Sequence, residues 1–154
     1  MPYLTAYSAL IETAGLLPGD TIALNAASSS AGLAAIDVAN YLGLRPIALT
    51  RTAEKRDALL KQGAAEVVVT DEQDTLDRLR GATGGRGVEL ILDAVAGPGV
   101  TDLARAVAPG GTLLVYGGLS GERTPYPGLT LGLPALNMRS FTPQVGKIVL
   151  TVGG

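Results

Sequence analysis

Thr21-Ile22-Ala23-Leu24-Asn25, then Ala26-Ala27-Ser28-Ser29-Ser30-Ala31-Gly32, then Leu33, Ile36, Ala39 and Leu42 at spacings of three before Gly43, and finally Pro46-Ile47-Ala48-Leu49: residues 21–51 decide the fold. The first run is apolar, partly β-branched and of strand length. The turn that follows has nothing bulky in it, so another backbone can approach closely. The spacing from Gly32 onward is helical, and the last run resumes as strand. This is a βαβ unit. A helix that starts in a small-residue loop aims unpaired N–H groups and the positive end of its dipole at that loop, where a phosphate is the natural guest. The dinucleotide fingerprint G-x-G-x-x-G is reduced here to its last glycine, Gly32. The context carries the assignment: the loop follows a strand, opens a helix, and precedes by about twenty residues the strand end that reads an adenosine ribose. A serine-capped turn with no ligand is the competing reading.

Working outward, the order of elements extends the same pattern. Leu4, Tyr7, Leu10, Ile11, Ala14 and Leu17 fall at helical spacing before Pro18-Gly19-Asp20. Ala53 to Gln62 reads as a second helix with Leu59 and Leu60 inward, and Glu66-Val67-Val68-Val69-Thr70 as a third strand. A short helix from Thr75 closes at Gly81. The glycine-rich segment 81–87 precedes a strand rather than a helix, and reads as a connecting loop. Val88-Glu89-Leu90-Ile91-Leu92-Asp93 is a fourth strand, followed by Gly97-Pro98-Gly99 and a helix carrying Leu103, Ala106 and Val107. Thr112-Leu113-Leu114-Val115-Tyr116 is a fifth. Near-continuous apolar strands alternating with helices predict an α/β fold: a Rossmann-type doubly wound parallel sheet, strand order 3-2-1-4-5-6, with helices on both faces. Ligands bind such sheets at the carboxyl ends of the strands. Asp93, Ala94 and Val95, and Gly117, Gly118 and Leu119, lie at such ends and join the candidate site.

At the end of the second strand an NAD-binding domain commonly carries Asp or Glu for the ribose hydroxyls. This chain has Thr50 and Arg51 there, and Lys55 a turn later. Cations suit a 2′-phosphate, so the expected cofactor is NADP(H). The same feature argues against a methyltransferase-like α/β domain, which also wants an acid at that position.

Composition bounds the chemistry. The 154 residues are 47% hydrophobic with a net charge of −2, which indicates neither a nucleic-acid binder nor a disordered acidic tail. No apolar run reaches the length that spans a bilayer, and no signal peptide is evident. The expectation is a cytoplasmic chain with no nucleic-acid or membrane partner. The chain has no cysteine and no histidine, so it can supply no disulfide, Cys/His zinc site or histidine-dependent triad of its own. None of Tyr3, Tyr7, Tyr41, Tyr116 and Tyr126 has a lysine four residues on, which excludes the Tyr-x-x-x-Lys pair of short-chain reductases.

Leu4-Thr5-Ala6-Tyr7, Pro18-Gly19-Asp20, residues 26–32, Lys55-Arg56, Gly84-Gly85-Arg86-Gly87-Val88, Leu92-Asp93-Ala94-Val95 and Pro109-Gly110-Gly111 stand in the order and spacing of one family. From Tyr3 to about Phe141 the chain resembles the medium-chain dehydrogenase/reductase superfamily, in its zinc-independent quinone oxidoreductase-like and enoyl reductase-like branch. The resemblance implies an NADP-binding Rossmann domain over residues 1–142. Ser28, Ser29, Ser30, Ala31 and Gly32 would sit at the pyrophosphate, and Arg51 and Lys55 near the 2′-phosphate. Thr5, Gly117, Gly118 and Phe141 would lie towards the nicotinamide. It also implies a homodimer joined through sheet edges, with Leu136-Asn137-Met138-Arg139-Ser140-Phe141 as the sixth, pairing strand.

Members of that family place a substrate domain before the Rossmann domain, whereas this sequence starts at Met1-Pro2-Tyr3. Residues 143–154 resemble the family's extreme C-terminus. The expectation is therefore cofactor binding with hydride transfer only in the presence of a substrate domain. The alternative is a non-enzymatic dinucleotide-binding or sensor module. Pro143 interrupts any continuous ladder from the sixth strand into the apolar run 145–152, and the short connection forbids a parallel crossover. Antiparallel addition within the chain, or exchange between two chains, is expected for that run, with a disordered tail as the competing reading.

Overall fold

The computed structural model describes Leu10, residues 16–115 and 117–125, and the backbone of residues 137–142 and 146–151. Strands β1 (Thr21–Asn25), β2 (Arg45–Thr50), β3 (Glu66–Val69), β4 (Val88–Asp93), β5 (Val107–Val115), β6 (Asn137–Thr142) and β7 (Gly146–Thr151) form a single sheet in the order β3-β2-β1-β4-β5-β6-β7. The first six are parallel, in the order the sequence predicts. β7 adds antiparallel to β6, with Thr142 opposite Gly146. Addition within the chain thus accounts for the apolar C-terminal run. It also changes the edge: β7, not β6, is the outermost strand on that side.

Helices α1 (Ser30–Tyr41), α2 (Arg56–Gln62), α3 (Thr75–Gly81) and α4 (Val100–Ala106) cover the two faces. The period of two along a strand sends alternate side chains to opposite layers. Leu90 and Leu92 of β4 join Ile36 and Ala39 of α1 and Leu59 of α2 in one core. Ile91, between them, joins Leu79 of α3 and Leu103 of α4 in the other. Both faces are buried, so the strands read as continuous apolar runs rather than alternating ones. Small residues bring α1 close to the sheet. A Cβ on Gly32 would stand 2.5 Å from the carbonyl oxygen of Ala27, a separation only glycine permits.

Several boundaries differ from the sequence reading. α1 begins at Ser30 rather than Gly32, because Ser29 is its N-cap: the Ser29 hydroxyl accepts the Gly32 N–H at 3.1 Å. A 3-10 turn, Ala53–Lys55, precedes α2, and of its leucine pair only Leu59 faces the core; Leu60 is 45% exposed. Val107 opens β5 instead of ending the helix before it, where it pairs with Val88. Leu17 lies in no helix and is exposed. The rest of the expected N-terminal helix, apart from Leu10, lies outside the described residues, as do Leu136 and the side chains of β6 and β7.

Candidate functional site

β1 and β4 are parallel neighbours whose connections leave the sheet in opposite directions, β1 towards β2 and β4 towards β5. That is the switch point of a doubly wound sheet, and a crevice opens at its carboxyl end. The hollow there has a volume of about 520 Å³ and is lined by Asn25, Leu49, Ala96, Thr70, Arg51 and Ser120 among others. A larger hollow, about 710 Å³, lies at the opposite end of the sheet beside Arg45, Glu66 and Arg78. Its arginines are all engaged: Arg45 donates to Glu66 at 2.7 Å and to the carbonyl of Ala82 at 3.0 Å, Arg78 lies 3.7 Å from Glu66, and Arg80 donates to the carbonyl of Arg105 at 2.9 Å. Size favours that hollow; open polar groups and topology favour the crevice.

The serine loop follows β1 at the same carboxyl end of the sheet, next in the chain to Asn25, although none of its residues lines the hollow. Ser28 and Ser30 are exposed, Ser29 and Ala31 half-buried, and Gly32 buried. Ser29 satisfies Gly32 N–H with its hydroxyl and Leu33 N–H with its carbonyl, at 2.9 Å. The N–H groups of Ser30 and Ala31 have no protein acceptor among the described residues, and the first turn of α1 has no acidic residue. Two open donors at the positive end of a helix dipole fit a phosphate. The residues present therefore suit the pyrophosphate of a dinucleotide.

Thr50 is buried at the end of β2, while Arg51 is exposed, lines the crevice and makes no ion pair among the described residues. Lys55 is exposed on the 3-10 turn and is not part of the crevice lining. Carboxylates of Asp74, Asp102 and Glu122 share the hollow with Arg51, which is its one cation among the described residues.

Asp93 is fully buried, and its carboxylate points inward. Oδ1 accepts from Asn25 Nδ2 at 3.0 Å and from Val95 N–H at 2.9 Å; Oδ2 accepts from Ala96 N–H at 3.1 Å. Burial pushes this carboxyl above the ordinary range, and those hydrogen bonds from Val95, Asn25 and Ala96 partly oppose it. Ala94 is buried beneath the loop and Val95 half-exposed on the crevice. Residues 117–125 run beside this loop: Leu119 N–H donates to Ala94 at 3.1 Å, Ser120 N–H to Val95 at 3.0 Å, and Gly97 N–H to the Thr124 hydroxyl at 2.9 Å. Gly117 passes so close to Ala94 that a Cβ would meet its carbonyl oxygen at 2.7 Å. Gly118 and Leu119 are exposed.

The structure thus gathers the serine loop, Arg51, residues 93–95 and residues 117–119 at one end of the sheet. Thr5 and the side chain of Phe141 lie outside the described residues. Sequence reasoning passed over Asn25, Ala96, Thr70 and Ser120. A polar residue ending the apolar run of β1 was the available signal for Asn25.

The zinc-binding dehydrogenase family model matches residues 31–144. The enoyl-[acyl-carrier-protein] reductase of rat mitochondria (Rattus norvegicus) is 35% identical over 120 residues, 75% of this chain and 32% of that protein. The mycoketide-CoA synthase of Mycobacterium tuberculosis is 38% identical over 117 residues, 75% of this chain and 3% of that protein. Among solved structures, the Escherichia coli quinone oxidoreductase complexed with NADPH superposes with a TM-score of 0.81 at 29% identity, over 89% of this chain and 42% of that one. The chain therefore spans well under half the length of these relatives.

Proposed function

The chain belongs to the zinc-binding dehydrogenase family, within the medium-chain dehydrogenase/reductases, and from that premise we propose that it is the NADP(H)-binding part of a zinc-independent oxidoreductase of the quinone, enone or enoyl reductase type. The observation that carries this reading is the presence, at the same carboxyl end of the sheet, of open N–H groups at the start of α1 and of an arginine at the end of β2 with no ion pair among the described residues. Ser30 and Ala31 hold the pyrophosphate with their backbone donors, and Arg51 takes the 2′-phosphate. Lys55 adds a second positive charge from outside the crevice. Gly117 and Gly118 keep the nicotinamide side open. When bound in its reduced form the cofactor supplies a hydride to an electron-poor double bond or quinone. No step is assigned to zinc, because this chain has no cysteine or histidine and its described residues hold no cluster of acidic groups suited to a metal.

Thr5 and Phe141 belong to the nicotinamide side in this reading, and the cytoplasm is its setting. No helix among the described residues is long and apolar enough to cross a membrane. A homodimer through sheet edges would use β7, because β7 occupies the side of β6 that a β6-to-β6 pairing needs. Deleting residues 143–154 and measuring mass by light scattering tests this: a dimer that survives deletion rests elsewhere.

Fluorescence titration with NADPH and NADH tests the main reading. Tighter binding of NADPH is expected; equal affinities, or none, overturn it.

A further inference from the structure

We propose that Asn25 and Asp93 form a clamp across the switch point that positions the two loops leaving β1 and β4 by holding an alanine in each at positive φ. This rests on the dinucleotide reading of the crevice and adds a pair of positioning residues to it.

Asn25 and Asp93 are register partners at the last rung of the parallel β1–β4 ladder. Their side chains meet there, Asn25 Nδ2 donating to Asp93 Oδ1 at 3.0 Å. The remaining polar atoms of the pair turn to the backbone that follows each strand. Asn25 Oδ1 accepts the N–H of Ala26 at 3.1 Å, and Asp93 accepts those of Val95 and Ala96. Ala26 has φ +60° and Ala96 φ +58°, and they are the only non-glycine residues at positive φ among the described residues. Ala96 also has ψ −154°, close to a region that glycine alone populates readily. Both alanines are thus tied by N–H to the same side-chain bridge.

Each alanine begins the loop that leaves its strand at the carboxyl end of the sheet. Ala26 turns the chain from β1 into the serine loop, whose Ser29 N–H donates back to the Ala26 carbonyl at 3.1 Å. Ala96 turns it from β4 towards Gly97 and α4, and itself lines the hollow with Asn25. Strained conformations persist only where their surroundings over-determine them, and this pair supplies the acceptors for the N–H groups of both alanines. Asp93 is fully buried, so it touches no ligand and acts through the loops. The choice of Asp also follows. It accepts three donors, whereas Asn would turn an N–H towards at least one of them. Loops fixed in the bound shape spare the ligand the entropy of ordering them.

The test combines amide hydrogen exchange with NADPH and NADH titration well below the melting temperature. In Asp93→Asn, exchange at Val95 and Ala96 should accelerate, and both cofactors should bind about tenfold more weakly, as for a lost hydrogen bond to a charged acceptor. Equal loss for the two cofactors is expected because the loops serve the part they share. The swap Asn25→Asp with Asp93→Asn restores a cross-strand bridge and should recover part of the affinity. A lower melting temperature with wild-type affinity and exchange would reduce the pair to a structural role and overturn the proposal, as would a swap that rescues nothing. If Asp93→Asn does not fold, Asn25→Ala carries the test: faster exchange at Ala26 with weaker binding supports the clamp, and unchanged values overturn it. If the wild-type chain binds neither cofactor, the reading of the crevice fails, while the exchange data still decide whether the pair holds the loops.

Discussion

The two ends of the sheet treat their polar groups in opposite ways. At the amino end, the first N–H of β1, on Thr21, donates to Glu89 at 2.7 Å, Glu89 pairs with Arg86 at 2.8 Å, and Arg45 pairs with Glu66. Three ion pairs gather the charges of Arg45, Glu66, Arg78, Arg86 and Glu89, and Gly84 and Gly85 take positive φ in open space. At the carboxyl end an arginine has no ionic partner among the described residues, helix N–H groups stand open, a carboxylate is fully buried, and alanines occupy positions that suit glycine. One end is arranged for stability and the other tolerates cost, which is the usual mark of a binding end.

Substitutions can break or sharpen this contrast. The largest effect is expected from Gly32→Ala. The new Cβ would meet the Ala27 backbone at 2.5 Å, and displacing α1 should cost about 3 kcal/mol of unfolding free energy in denaturant titration. Its counterpart at the amino end, Gly84→Ala, meets nothing within 4 Å and suffers only the strain of φ +65°, about 1 kcal/mol. Similar losses for the two would remove the contrast in packing.

Next comes Arg51→Ala, which should cost about 1.5 to 3 kcal/mol of NADPH affinity with little change for NADH. Equal losses for both cofactors would assign Arg51 to stability alone. By comparison, Glu66→Gln at the amino end breaks a half-exposed pair and should cost about 1 kcal/mol or less in stability, leaving cofactor affinity unchanged.

The smallest effect is the pH dependence from Asp93. Its carboxyl is raised by burial, so the folded chain binds a proton more readily than the unfolded one. The associated stability is fully present below the unfolded value of 3.8 and is lost as pH rises through the raised folded value. Comparing Asp93→Asn with wild type across that window by thermal unfolding should show the wild type losing ground as pH rises. An opposite slope would mean that the hydrogen bonds to the carboxylate outweigh its burial.

Turnover supplies a further check. This 154-residue chain should bind NADPH but reduce quinones or enones negligibly, since orientation of the acceptor, roughly 7 to 11 kcal/mol of a hydride-transfer barrier, is not provided by a crevice lined as this one is. Robust reduction in a steady-state assay would show an acceptor site within these residues.

What could be read from the sequence follows how local each cause is. The bounds of β1 and β4 were legible because a strand buried on both faces is a continuous apolar run with polar ends. The start of α1 was not, since a Ser29 hydroxyl serves as cap only once the chain has turned at Ala26. Leu60 and Leu59 are equally apolar, and only the packing of α2 separates them. Asp93 was visible as a polar residue ending a strand at the crevice. Its inward turn was hidden, because the partner that holds it, Asn25, is 68 positions away and becomes its neighbour only through strand order and register. Arg51 needed neither, being fixed by the end of its own strand.

The β1–β4 pairing also sets the order in which the molecule can be built during synthesis. β1, β2 and β3 lie consecutively in the chain and side by side in the sheet, so that half can assemble as it leaves the ribosome. The carboxylate that braces the serine loop is at position 93, at the far end of the next strand. Until β4 has docked, the bend at Ala26 is held only from within the nascent half, by Asn25 Oδ1 and by the Leu49 carbonyl that accepts from Ala27 N–H at 3.2 Å. A cofactor present in the cell therefore gives no help to the early half-sheet and acts only on chains long enough to have closed the middle of the sheet, stabilising them by mass action.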